Sequence, residues 1–387
     1  MRTRALAASL CIVLSACGGA AAPSSAPAAT PAASAAATSS SAAAKPATSA
    51  LAKPAASAGA SAKPASGGSA AASTSGPAPE KAHLEIAIAA PAGTYTPVLI
   101  GRDGGYFQKH GLDVTISTVS ASVATQGLIS GKIDIYQGGT AAIAGHLAGS
   151  DIIYGAAMVD KSNLMLIGQK GITTVEGLKG KGVSTTSPGA FGEIAMRKTA
   201  KEHGLQVGTD IKMLFHPTPA AALTTFLTQP NDAGGIIITP PENLDAVQRG
   251  YPVIDDYFKE GLRIIGPGMS LTRDFYTKNP NTIKAFLEAY LDSLKRAIDD
   301  PAYEKQLDGK YNQTSDPKLL DGDYQQGLMG WNKNLTVDPT AIQVVLDATD
   351  DPKAKTAKPA DFYDNTLIQQ VNREYGSKLF PNDIKSS

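Results

Sequence analysis

The sequence predicts an α/β fold in two lobes, each a doubly wound sheet, followed by C-terminal helices. Three observations lead there. From Leu84 onward, short apolar runs alternate with helical stretches of about ten residues, the pattern of βαβ units around a parallel sheet. That rhythm restarts after Gly177-Leu178-Lys179-Gly180. From Pro280 it gives way to helix alone.

In the first unit, Leu84-Ala90 reads as a strand and Pro97-His110 as a helix. Leu112-Thr118 is a strand, Ser122-Gly131 a helix, Ile133-Gln137 a strand and Thr140-Ala148 a helix. Strands at Asp151-Met158 and Asn163-Gly168 follow. The second unit pairs strand Gly182-Thr185 with helix Phe191-His203, and strand Ile211-Phe215 with helix Pro219-Leu227. Strand Gly235-Ile238 leads to helix Glu242-Arg249, and Leu262-Thr272 is a last strand-like run. Pro280 suits a helix start, and Ile283, Phe286, Leu287, Tyr290, Leu291, Leu294 and Ile298 keep the i, i+3, i+4 spacing of a buried face. The chain leaves the first unit near Ser162-Asn163 and returns near Gly266-Pro267, so two crossing segments allow a hinge. Composition alone leaves open a single continuous sheet with helical decoration.

The N-terminal segment is of another kind. Arg2 and Arg4 precede an apolar run, Ala5 to Val13, that is too short to span a bilayer. Leu14-Ser15-Ala16-Cys17 closes it and resembles the lipobox of bacterial lipoproteins, which implies lipidation of Cys17; an ordinary cleaved signal is the alternative. Gly18 to Pro79 is almost entirely Ala, Ser, Pro, Thr and Gly, with Leu51 its one large apolar residue. Such a segment buries too little surface to offset the entropy of ordering. It reads as a disordered tether with a reach of roughly 40–45 Å. The expected organisation is thus a signal with lipobox (1–17), a tether (18–82), one lobe with C-terminal helices (83–163 plus 264–380) and a second lobe (164–263).

Lys plus Arg equals Asp plus Glu at 35 each, so no net field draws the chain to nucleic acid. The two cysteines, Cys11 and Cys17, both precede the folded part, which leaves no disulfide or thiol chemistry there.

Ligands of open α/β sheets bind beyond the carboxyl ends of strands, where helix N-termini begin. Five junctions qualify: Ala92-Thr96, Gly138-Thr140, Thr186-Ala190, His216-Thr218 and Thr239-Glu242. Small and hydroxyl side chains there let backbone N–H groups approach a ligand, although the same residues also cap helices and make turns. Candidate ligand-binding residues are therefore Thr94, Tyr95, Thr96, Gly139, Thr140, Thr186, Ser187, Gly189, Phe191, His216 and Thr239, with Tyr95 and Phe191 as aromatic walls. No Lys or Arg lies in these junctions, which favours a neutral or weakly charged organic solute over a multiply charged one. Glu242 suits a plain first-turn acid better than a partner for an amine or ring N–H.

The five histidines lack His-Glu-x-x-His spacing, and no Gly-x-Ser-x-Gly elbow is present. Gly177-Leu-Lys-Gly-Lys-Gly182 lacks the Ser or Thr of a P-loop, and Val175 stands where its first Gly belongs. No metal, cofactor or catalytic residue is expected.

Gly104-Gly-Tyr-Phe-Gln-Lys-His-Gly-Leu-Asp-Val114 and Gly127-Leu-Ile-Ser-Gly-Lys-Ile-Asp134 resemble the first lobe of substrate-binding proteins of ABC transporters. The resemblance is to the nitrate, taurine and aliphatic-sulfonate family, which includes binders of thiamine-pyrimidine precursors. Gly177-Lys181 with Val183-Gly189 is similar to that family's entry to the second lobe, and Asn279-Pro280 to its return segment. Gln229-Pro-Asn-Asp-Ala-Gly234 departs from the family's Gly-x-x-Asp-Ala turn, and the helices after Pro301 match weakly. The resemblance implies a type II periplasmic-binding-protein-like clamshell that closes on one solute and delivers it to an ABC permease and its ATPase. It also implies an extracytoplasmic, monomeric protein, held to the membrane only by its lipid. A tethered solute sensor, or an enzyme on the same fold related to pyrimidine synthesis, are the alternative readings.

Overall fold

The computed structural model describes residues 77–90, 93–263 and 265–384. Cys17, the lipobox and the expected tether up to residue 76 lie outside the described residues, as does Ala92 of the first junction. The last residues of the expected tether are docked on the first lobe. The Glu80 carboxylate accepts the Thr282 N–H at 2.8 Å, and Lys81 pairs with Asp134 at 2.7 Å.

Strand β1 (His83–Ile88) buries Leu84, Ile86 and Ile88. It is flanked in parallel by β2 (Asp113–Thr118) and β3 (Ile135–Gly138). With β4 (Ile152–Ala157) these belong to a five-stranded sheet of order β2-β1-β3-β10-β4. The second sheet has order β7-β6-β8-β5-β9. It contains β5 (Met165–Gly168), β6 (Gly182–Thr185), β7 (Lys212–Phe215), β8 (Ala233–Ile238) and β9 (Val253–Asp256). The chain then returns to the first sheet as β10 (Gly268–Thr272).

Both sheets are mixed, where wholly parallel ones were expected. Strand β10 runs antiparallel to β3 and β4, and β5 runs antiparallel to β8 and β9. Only the second half of Leu262–Thr272 is strand, because the segment before Gly268 crosses between lobes alongside the outgoing chain. Met158 donates its N–H to the Pro267 carbonyl at 2.9 Å, and Ser162 to Leu262 at 3.1 Å. The approach is close enough that a Cβ on Gly266 would lie 2.8 Å from that of Val159.

The helix expected over Pro97–His110 is two, α1 (Thr96–Asp103) and α2 (Tyr106–Lys109). Gly105 takes a left-handed φ of 73°, and the kink turns Phe107 into the core. Between the strands follow α3 (Ala121–Ile129), α4 (Ala141–Leu147), α5 (Phe191–Glu202), α6 (Pro219–Thr228) and α7 (Glu242–Gln248). Short α8 (Arg273–Lys278) precedes α9 (Pro280–Asp299), which buries the expected apolar face against α1 and stacks Phe286 on Phe107 at 5.4 Å.

The C-terminal helices announce themselves by an Asp-Pro start. They are α10 (Pro301–Asn312), α11 (Pro317–Gly330) and α12 (Pro339–Ala348). Asp300, Asp316 and Asp338 each accept a first-turn N–H, at 3.1, 2.9 and 2.8 Å, while proline fills the position whose N–H has no helical partner. Helices α10 and α11 pack beside the loop after β1, and α11 also touches α7.

Candidate functional site

The strand-end loops of the two lobes meet across one face. On the first lobe, Gly93–Tyr95 forms a single 3₁₀ turn into α1. Thr94 and Thr96 are buried, and the Thr96 hydroxyl donates to the Gly93 carbonyl at 2.7 Å, so it is spent locally. The Thr94 carbonyl accepts Trp331 Nε1–H at 3.3 Å. Burial, with Tyr136 and Tyr290 nearby, keeps the Tyr95 phenol protonated well beyond its ordinary range.

At the end of β3, Gly138 lies under the Tyr136 ring, and the Gly139 carbonyl accepts the Tyr154 hydroxyl at 2.7 Å. From here the lobes touch. Thr140 Oγ1 donates to the Gly189 carbonyl of the second lobe. A Cβ on Gly139 would lie 2.8 Å from the Phe191 ring, so glycine is what lets that ring close over the loop. On the second lobe, Glu193 Oε2 accepts the Gly189 N–H at 2.7 Å and fixes the β6–α5 turn, leaving Thr186 and Ser187 half-buried.

The structure thus brings Gly139, Thr140, Gly189 and Phe191 into direct inter-lobe contact. Thr94, Tyr95 and Thr96 lie in the first-lobe loop, and Thr186 and Ser187 in the second-lobe turn. Thr239 caps β8, its carbonyl accepting the Asn243 N–H at 3.3 Å. His216 stands apart. It lines a groove of about 730 Å³ along edge strand β7 with Lys212 and Asp232. Burial lowers its pKa, and its Nε2 has no partner among the described residues.

The sequence reading missed three carboxyls, Glu304, Asp308 and Asp323, which join Glu242 at the same face. Asp308 Oδ1 accepts the Gly93 N–H at 2.8 Å and Asn312 Nδ2 at 3.1 Å. An Asp323 oxygen lies 3.3 Å from where a Cβ on Gly93 would stand. Glu304, on α10 one turn before Asp308, is 2 % exposed. Glu242 approaches from the second lobe on α7, within electrostatic reach of Asp308 and Asp323. Burial pushes Glu242 up to about 7 and Glu304 up to about 8, with Asp308 adding like-charge repulsion to both. Burial alone raises Asp308, while burial together with repulsion from Asp308, Glu304 and Glu242 raises Asp323. The one sequence signal for this set is Glu304 and Asp308, like charges four residues apart, a pairing that costs an isolated helix stability.

The arginines farther along the helices that open at the first and third junctions are engaged elsewhere. Arg102 pairs with Asp103 at 2.9 Å, and Arg197 bridges Glu193 and Asp350. Among the described residues no three His, Cys, Asp or Glu side chains are arranged to hold a metal ion.

The model of the family described as "NMT1/THI5 like" matches residues 93–304, more than half of the chain. The chain belongs to the NMT1/THI5-like family. No curated protein is similar enough in sequence to match it. Solved structures share its fold at low identity. A protein of Bordetella bronchiseptica RB50 is 21% identical, covering 77% of this chain and 99% of its own, with a TM-score of 0.67. The periplasmic nitrate-binding protein NrtA of Synechocystis PCC 6803 is 14% identical over 80% and 93%, with a TM-score of 0.66. The alkanesulfonate-binding protein SsuA of Xanthomonas axonopodis pv. citri, solved with MOPS, is 15% identical over 76% and 98%, with a TM-score of 0.60. This family member therefore has the two-lobed periplasmic-binding-protein fold.

Proposed function

We propose that the chain is the extracytoplasmic solute-binding component of an ABC importer. It would capture a small organic solute between its lobes and hand it to a permease driven by an ATPase. The observation that carries this reading is the meeting of both lobes' strand-end loops across one face, with Phe191 laid over Gly139 and Thr140 bonded to Gly189. A clamshell that closes on ligand has that geometry, and the paired crossing segments at Met158–Ser162 and Leu262–Pro267 give it a hinge. The fold it shares with nitrate- and alkanesulfonate-binding proteins supports the same role. The solute would lie between Thr94–Thr96, Gly139–Thr140 and Thr186–Gly189.

Native mass spectrometry of freshly purified chain tests this reading through a retained small molecule. With that molecule in hand, titration calorimetry should show Ser187→Ala losing about 1 kcal/mol, the worth of one hydrogen bond, and Tyr95→Ala losing more through the missing aromatic wall. Unchanged affinity in both variants would move the site elsewhere.

The lipidated form is part of the same proposal. Cys17 would anchor the chain, with the Ala/Ser/Pro-rich segment holding the lobes clear of the bilayer. Among the described residues no helix is long and apolar enough to cross a membrane. Cys17→Ala should move the protein from the membrane fraction to the soluble or unprocessed one. A variant that is processed normally and stays membrane-bound would sink the anchor.

A further inference from the structure

We propose that the solute of this site is an organic cation, an amine or guanidine, whose N–H groups are received by Asp308, Asp323 and Glu304 of one lobe and Glu242 of the other. The inference rests on the solute-binding reading and names the chemical class that reading leaves open.

Unmet acceptors carry the argument. Asp323 is only 3 % exposed, and both of its oxygens lack a donor partner among the described residues. One oxygen faces Gly93, in the loop where the first lobe meets the solute. The same want of a donor holds for Asp308 Oδ2 and Glu304 Oε2. Gln326, 8 % exposed and one turn beyond Asp323 on the same face of α11, carries an unmet Oε1 as well. Asp308 and Asp323 are hydrogen-bonded to each other through a proton on one of the two carboxyls; once ionised, all of these atoms are acceptors, so the group that then completes them must bring N–H donors.

Among the described residues no Lys, Arg or His forms an ion pair with this set. Lys305, next to Glu304 in sequence, is turned to Asp321 at 2.6 Å. An anion placed here would face carboxyls from both lobes in a poorly solvated space, where like charges repel far more than in water. The arrangement does not suit a metal ion either. An ammonium or guanidinium group offers several donors at once, and its charge-assisted bonds are the strong kind. Glu242 stands on the second lobe, so the cation is held from both sides only when the lobes are closed. That is the differential affinity a closing ligand requires. Burial raises all four carboxyls, and repulsion adds to it at Glu242, Glu304 and Asp323, so the empty site holds protons more readily than ordinary carboxyls do. Cation binding therefore releases protons.

Calorimetry on the full chain tests this with four probes: methylguanidine, putrescine, nitrate and butanesulfonate. At least one cation should bind saturably near pH 7, with a heat that changes with the buffer's ionisation enthalpy. Asp323→Asn should weaken that binding at least tenfold. If Asp323→Asn does not fold, Glu242→Gln, at the half-buried second-lobe position, should weaken it at least fivefold. Saturable binding of nitrate or butanesulfonate without either cation overturns the cation and leaves the solute-binding role standing. Cation binding unchanged in the folded variant overturns this site. Binding of no probe, together with no solute retained on purification, overturns both readings.

Discussion

Raising the pH from 5 to 8 should cost the unliganded chain a few kcal/mol of stability, and Glu304→Gln should remove much of that loss. The carboxyl of Glu304 is shifted by burial, and then by Asp308, from 4.5 to about 8. Below the unfolded value both states hold the proton and nothing is lost. Above it the unfolded chain releases the proton while the folded chain keeps it, so stability falls until the folded pKa is reached. Each pH unit within that window is worth about 1.4 kcal/mol per group. Glu242 adds a narrower window that ends at about 7, and Asp308 and Asp323 act in the same direction. Among the described residues the groups facing Glu304 are Asp308, Asp323, Tyr324, Lys305 and the Thr96 hydroxyl; Lys305 opposes the shift only weakly, being engaged with Asp321. His110 contributes to the same slope for another reason. Burial works against its charge, but hydrogen bonds that its ring donates to Asp292 and Glu288 raise it to about 9, so stability it supplies below 6.5 is lost as the pH climbs. The burial-lowered His216 acts in the opposite sense, favouring the fold as the pH rises from its lowered folded value up to 6.5 and adding nothing beyond. For that reason the difference between wild type and Glu304→Gln is the quantity to read, by urea denaturation at each pH. Parallel profiles for the two proteins would mean that Glu304 ionises normally in the fold.

What was legible in the sequence follows from what repeats locally. The strands of both sheets show because an apolar run bounded by turn residues is a local signal. Strand direction is not local. Nothing in Met165–Gly168 or Gly268–Thr272 says that these two strands run against their neighbours, since that is decided by where the crossing segments leave and return. Strand β9 was overlooked for a similar reason: it is a four-residue edge strand ending in Asp255-Asp256, which reads as a turn. The junction loops were found by a rule about strand ends and helix starts that needs no long-range information. The carboxyl cluster was not, because Glu304, Asp308 and Asp323 sit on helices where acids ordinarily face water. Their burial depends on α10 and α11 folding back beside Gly93, more than 200 residues earlier in the chain. The resulting balance of charge differs from the neutral or weakly charged solute that the junctions alone suggest.

Gly139→Val should weaken solute binding by about 5- to 150-fold while leaving each lobe folded. The backbone of Gly139 is not in the left-handed region, so valine is permitted there as far as the chain's own conformation is concerned. The obstacle is Phe191, whose ring occupies space 2.8 Å from the new Cβ. Valine must displace that ring, and Thr140 then loses its bond to Gly189. Overpacking of this kind typically costs about 1–3 kcal/mol. Phe191 and Gly189 belong to the opposite lobe, so the cost falls on the closed form alone and is subtracted in full from the binding free energy, about tenfold per 1.4 kcal/mol. The contrast is the preceding residue. A Cβ on Gly138 would lie 2.1 Å from the Tyr136 ring of its own lobe, so Gly138→Val should lower the stability of that lobe instead. Titration calorimetry with the co-purified solute, alongside thermal unfolding, separates the two cases. Small-angle scattering supplies the remaining readout: at saturating solute the wild type should contract, and Gly139→Val should keep the profile of the empty protein. Full affinity and full contraction in Gly139→Val would mean that Phe191 and Gly139 do not meet in the ligand-bound state, and the closing surface would have to be sought on another pair of loops.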